Sequence, residues 1–121
     1  MPTKKNIAAA LWDMQRAAQA VEKFVAGVPF DIYLQDQKLQ MAVERGLEIL
    51  GEAARKVPIE IQQQYPNLQW RQAIGLRNIL AHEYGEINNE TVWATAVNDI
   101  PVLLRELEAL ILQERPESAP E

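Results

Sequence analysis

The chain has 121 residues, 48% of them hydrophobic, with 17 acidic and 12 basic side chains, one histidine and no cysteine. That composition fits one compact domain and excludes a disulfide framework, a thiolate metal site, a cysteine nucleophile and a histidine-rich zinc site within one chain. No apolar run approaches the roughly 18 residues of a membrane span, and Met1-Pro2-Thr3-Lys4-Lys5 leads into an amphipathic segment rather than a signal-peptide core, so the expected location is cytoplasmic, with no membrane partner. The net charge of −5 argues against nucleic-acid binding at first sight, but it is unevenly placed. Residues 1–37 sum to zero, residues 38–84 to +1 and residues 85–121 to −6.

Helical periodicity runs through the chain, and no sustained alternation argues for a half-buried strand. Ile7, Leu11, Met14, Ala18, Val21 and Val25 form one stripe of a first long helix, entered near Thr3 and released at Gly27-Val28-Pro29. Leu39, Val43, Leu47, Leu50, Ala54 and Val57 make a second stripe, on a helix beginning after Asp31 and stopped by Pro58. Residues 58–64 read as a short helical turn, and Tyr65-Pro66-Asn67 as a loop whose Asn67 is placed to cap the next helix. That third helix is expected to carry Trp70, Ile74 and the block from Arg77 to Tyr84, and to end at Gly85. Beyond a loop at Asn88-Asn89, a fourth stripe runs through Val92, Ala96, Ile100, Leu103, Leu107 and Leu110, with Pro101 predicted to kink or restart the helix. Trp93, Val97, Leu104 and Ile111 form a second apolar face on the same helix, available either to another protomer or to a wider core. The expected architecture is all-α, an antiparallel helical bundle of about four long helices plus a short helical turn over residues 1–113, with a disordered acidic tail over 114–121.

The chemistry concentrates in the third helix. At about 100° per residue, Arg77, Asn78, His82 and Tyr84 share one broad face. A guanidinium fork can bind phosphate oxygens bidentately and stabilise charge building on phosphorus, while an imidazole can exchange a proton at neutral pH. In RNA the 2′-OH supplies its own nucleophile, so a base, a charge stabiliser and an acid suffice without a metal. One chain offers a thin site; a two-fold pair of such helices supplies two histidines and two arginines. Spacing alone leaves open the plainer alternative, in which the same polar residues satisfy hydrogen bonds in a bundle or fix dimer register.

The string Arg77-x4-His82-x-Tyr84, with Asn78 directly after the arginine, resembles the R-x4-H-x-Y motif of HepT toxins in the HEPN (higher eukaryotes and prokaryotes nucleotide-binding) superfamily. The segment from Ala42 to Ala54 and the approach through Tyr65-Pro66, Trp70 and Gly75-Leu76 resemble that family too, so the likeness spans about residues 31–110. The resemblance implies a metal-independent endoribonuclease, the toxin of a toxin–antitoxin pair, needing no cofactor and acting as a homodimer whose motif helices meet at a shared cleft. It further implies Arg77 and His82 as the catalytic pair, Asn78 as their polar support, and Tyr84 as the tyrosine that a cognate minimal nucleotidyltransferase antitoxin modifies with AMP. An AMP group beside Arg77 and His82 would block the cleft and compete with RNA phosphate. An alternative from a different class is a non-catalytic helical module that binds a nucleotidyltransferase and positions its substrate.

Overall fold

A computed structural model of the chain describes residues 3–81 and 87–114. Every regular element among them is helical: α1 (Lys4–Val25), α2 (Phe30–Gln35), α3 (Gln37–Arg55), α4 (Ile59–Gln64), α5 (Trp70–Ile74), α6 (Leu76–Ile79), α7 (Asn89–Ala94), a π-helical turn (Thr95–Asp99) and α8 (Ile100–Glu114). The all-α expectation therefore holds. None of the described helices is long and apolar enough to cross a membrane.

Local chemistry sets the helix ends. Thr3 caps α1 by accepting from the Asn6 N–H, and the chain leaves α1 through Gly27, whose φ of 72° lies in the left-handed region that favours glycine. Asp36 caps α3 through the Leu39 N–H at 3.0 Å, and it interrupts what the apolar pattern reads as one continuous second helix. The result is the short α2, tied to α3 by the Gln40 amide, which donates to the Tyr33 and Leu34 carbonyls at 2.8 and 3.1 Å. Asn88 caps α7 in the same manner as Asp36. Pro58 stops α3 as expected and starts α4.

The first stripe meets the second. α1 packs against both α3 and α8, and Met14, Ala18, Val21, Val43, Leu47, Leu50 and Ala54 are fully buried. Gly46 makes the closest crossing. A Cβ there would lie 2.6 Å from Val21 Cγ2, so a side chain at this position would displace the Val21 methyl or the helices themselves. Leu104 and Ile111 are buried together with Val92, Ala96, Ile100 and Leu107, so the second apolar face of the last helix widens the core. Trp93 lies against Phe30 and Tyr33, with ring centroids 6.0 and 5.0 Å apart, which fastens α2 to α7.

Two segments depart from the sequence expectation. The run from Asn89 to Glu114 accommodates Pro101 without breaking: the backbone widens into the π turn, Ile100 donates to the Thr95 carbonyl five residues back, and Pro101 falls in the first turn of α8, where its missing N–H is tolerated. The third helix is the larger correction. Instead of one helix through Tyr84, the chain forms α5, turns at Gly75 (φ −81°, ψ 4°) and forms the single turn α6. Hydrogen bonds spaced by three residues, from Asn78 N to Gly75 O and from Leu80 N to Arg77 O, close this tightened path, and a glycine at its centre offers little helix propensity to oppose it. Gln69, not Asn67, stands at the N-cap of α5, with no side-chain cap. The expected stop at Gly85 and the expected disorder of the tail, apart from Glu114 in α8, fall outside the described residues.

Candidate active site

Leu76 anchors the motif segment. It is 3% exposed and turns the short α6 onto α3, leaving Arg77 and Asn78 on the outer side. The approach is close because α3 carries Gly51 there. A Cβ on Gly51 would sit 3.3 Å from the Ala73 carbonyl oxygen and 3.6 Å from Leu76 Cβ. Gly51 is buried along with Ala53 and Ala54, and these small residues let the α5–α6 backbone settle against α3.

That contact brings Glu52 beside the motif. One carboxylate oxygen, Glu52 Oε2, accepts from Arg77 Nη1 at 3.5 Å and from Arg55 Nη1 at 3.1 Å. The Arg77 side chain is 57% exposed and that of Arg55 48%, so both forks keep donors facing solvent. An ion pair this open contributes little to stability. Its physical effect is orientation: Arg77 is drawn toward α3 while more than half of its side chain stays open to solvent.

Asn78 is exposed, and its amide lies over Gly75, with Nδ2 3.6 Å from where a Cβ of that glycine would be. The tight neighbour is the Arg71 carbonyl oxygen, 3.0 Å from the same Cβ position, so glycine is what the turn between α5 and α6 accommodates best. Upstream, the loop before α5 is pinned twice. The Trp70 indole donates to the Tyr65 carbonyl at 3.0 Å, and the Tyr65 hydroxyl donates to Glu114 at the end of α8 at 2.6 Å. Desolvation, reinforced by the hydrogen bond to Glu114 and its charge, pushes the Tyr65 phenol from 10.0 up to about 12. Gln72 of α5 donates to Asp99 on the π turn at 3.0 Å, a third tie holding the segment.

The structure therefore places Arg77 and Asn78 together on the outer side of α6. His82 and Tyr84 lie outside the described residues. Sequence reasoning gave no role to Glu52, Arg55, Gly51 or Gly75. A glycine within a strong helical stripe, as at Gly51, signals a close backbone approach and was the available clue to the first two. Among the described residues no group of three or more His, Cys, Asp or Glu side chains is arranged to hold a metal ion. The groups that face solvent here are two guanidinium forks and an amide, with one half-exposed carboxylate, Glu52, between the arginines, so donors suited to an anion outnumber the acceptor.

An all-helical domain presenting an exposed arginine and an amide on a short, pinned helix is the class that these features define. The ribonuclease HepT-like family matches residues 14–110, and the chain belongs to that family. It is 32% identical over 106 residues to a Methanocaldococcus jannaschii protein provisionally named an RNase, covering 88% of this chain and 97% of that protein. A second protein of that organism, named in the same way, is 35% identical over 108 residues, 89% of each chain. A Thermococcus cleftensis protein named a probable ribonuclease HepT is 35% identical over 100 residues, covering 83% of this chain and 91% of its own. No solved structure gives a significant match.

Proposed function

We propose that this chain is a metal-independent endoribonuclease, the toxin of a toxin–antitoxin pair. It cuts RNA in a cleft shared by the motif segments of a homodimer and is silenced when a minimal nucleotidyltransferase antitoxin adds AMP to Tyr84. The observation that carries the reading is the solvent-facing Arg77, oriented by Glu52, five residues before the single histidine of a HepT-like chain.

In the reaction, His82 takes the proton of the RNA 2′-OH as its oxygen attacks the adjacent phosphorus. Arg77 stabilises the charge building on the non-bridging oxygens, and Asn78 adds an amide donor beside it. The bond from phosphorus to the 5′ oxygen breaks, and that oxygen receives a proton from His82 of the partner subunit. The products are a 2′,3′-cyclic phosphate and a 5′-hydroxyl. Arg77 suits this step because its fork stays charged at any working pH and matches two phosphate oxygens at once.

The choice of Tyr84 for AMP is supported by the state of the other two tyrosines. The Tyr33 side chain is fully buried, and the Tyr65 hydroxyl is bonded to Glu114, with both phenols raised to about 12. Tyr33 is closed to a transferase by burial, and the Tyr65 hydroxyl is already engaged by Glu114.

The test uses the purified full chain with RNA in the presence of EDTA. Cleavage to cyclic-phosphate ends, lost by a factor of at least about 100 in folded Arg77→Ala and His82→Ala, is the expected result, because each variant removes a whole element of acid–base or charge stabilisation. Equal cleavage by the three proteins sinks the assignment. RNA left intact by a folded dimer that binds a nucleotidyltransferase tightly would replace it with the non-catalytic module. Mass spectrometry after incubation with the transferase and ATP should find AMP on Tyr84 alone.

A further inference from the structure

Arg77 does not stand alone on the surface. The carboxylate that orients it also holds Arg55, and both guanidinium groups reach the same oxygen, Glu52 Oε2. We propose that Arg55 is a second contact for the RNA backbone, held in place beside Arg77 by Glu52, so that the motif arginine is one half of a two-guanidinium site for consecutive phosphates of a single strand. This rests on the ribonuclease reading for its substrate, but it is carried by the geometry of α3 against α6.

Three features make the pair a binding surface rather than an incidental ion pair. First, the charges do not cancel: two guanidinium groups share one carboxylate, leaving a net positive spot on a chain that is acidic overall. Secondly, each guanidinium has five N–H donors in a planar fork and each is shown giving one to Glu52; with roughly half of each side chain exposed, donors remain for phosphate oxygens. Thirdly, Arg55 is the last residue of α3, where the free carbonyls of the helix end favour a cation, while the Gly51 contact fixes α3 against the motif segment. Arg77 thus has its partner across on α3, while Arg55 has its own three residues earlier on the same helix. Glu52 reduces the attraction for phosphate by one charge. In return it biases two long side chains toward one place, so somewhat less ordering remains to be done on binding.

Such a site divides the work. Arg77 meets the phosphate that reacts, whereas Arg55 grips a neighbouring one, contributes no charge to the reacting phosphorus and acts on binding. Removing it should therefore change affinity and its dependence on salt, and leave the rate of the bound complex close to that of the parent chain.

The experiment is equilibrium binding of the full chain to a fluorescent oligoribonucleotide carrying 2′-O-methyl groups throughout, which cannot be cut, over a series of salt concentrations. Arg55→Gln should weaken binding about three- to tenfold at low salt and flatten the slope of log K against log salt by about 0.7, the value for one single-strand phosphate contact. Arg55→Lys should keep the slope while losing part of the affinity, because charge is retained and the fork is not. Arg16→Gln, an exposed arginine of α1, serves as the control and should match the parent. With cleavable RNA, Arg55→Gln should raise KM by the same factor and change kcat less than twofold. Parent-like slope and KM in Arg55→Gln overturn the proposal while leaving the nuclease intact. A parent chain that binds the oligonucleotide with the expected loss in Arg55→Gln, yet never cuts RNA, overturns the nuclease and upholds the two-guanidinium site.

Discussion

The crossing of α1 and α3 and the α5–α6 segment are built on opposite principles. Where α1 crosses α3, unbroken apolar stripes and a glycine at the crossing point bury nearly every contact, and the elements run to 22 and 19 residues. The α5–α6 segment has helices of five and four residues, each shorter than an isolated helix needs, so its shape is imposed from outside by Gly51, Gln72–Asp99 and the Tyr65–Glu114 bond. Stability is thus invested in one region and the motif is displayed in the other. Substitutions in the first should cost folding free energy, and those in the second should cost function at nearly constant stability.

The largest effect tests the core. Leu47→Ala, at a fully buried position, should lower unfolding free energy by about 2–5 kcal/mol in denaturant titrations, and a loss below about 1 kcal/mol would remove the α1–α3 crossing from its central place. The complementary change, Gly51→Ala, puts a Cβ 3.3 Å from the Ala73 carbonyl oxygen, so the motif segment must yield by a few tenths of an ångström. It should cost about 1 kcal/mol in stability but about tenfold in RNA cleavage, since small misplacements of a reacting group are expensive in rate. Lost stability with cleavage unchanged would erase the distinction between the two regions.

The smallest effect concerns Tyr33, whose buried hydroxyl finds no hydrogen-bond partner among the described residues. Tyr33→Phe should be neutral or stabilising by up to about 1 kcal/mol, because it deletes a buried, unsatisfied polar atom and leaves the ring against Trp93. Its pH dependence carries a definite sign. Burial, with the charge of Glu44 adding to it, raises this phenol from 10.0 to about 12. The unfolded chain ionises it first, so its stabilisation is complete below pH 10 and disappears as pH climbs towards 12. Thermal melts across that interval should fall less steeply for Tyr33→Phe than for the parent chain.

How legible all this is in the sequence follows the same division. Stripes such as Leu11-Met14-Ala18-Val21 report burial directly, because a 3.6-residue repeat leaves an apolar side chain no other place to go, and Thr3 announces its cap. Asp36 was hidden because a capping aspartate inside a continuous apolar pattern looks like an ordinary surface residue. The break at Gly75 was harder to read for a different reason: the glycine permits it locally, but what draws the chain into it is the docking of Leu76 onto α3, a tertiary event that no local window contains. Arg77 and Asn78 were legible as part of a motif string. Glu52 and Arg55 were not, because their relation to Arg77 exists only once Gly51 has let two elements meet across 25 residues of chain.

The π turn at Thr95–Asp99 has a consequence for how this chain tolerates changes of length. A five-residue hydrogen-bonded loop inside a helical rod holds one residue more than the regular path requires, while the rods on either side keep their common face. Deleting a single residue there would let the backbone close into ordinary α-helix with Val92 and Leu107 still directed inward. The same deletion farther along α8 would rotate everything beyond it by about 100° and turn Leu110 out of the core. The last rod therefore contains one spare residue, and it lies where Asp99 receives Gln72, at the joint between the framework and the motif segment.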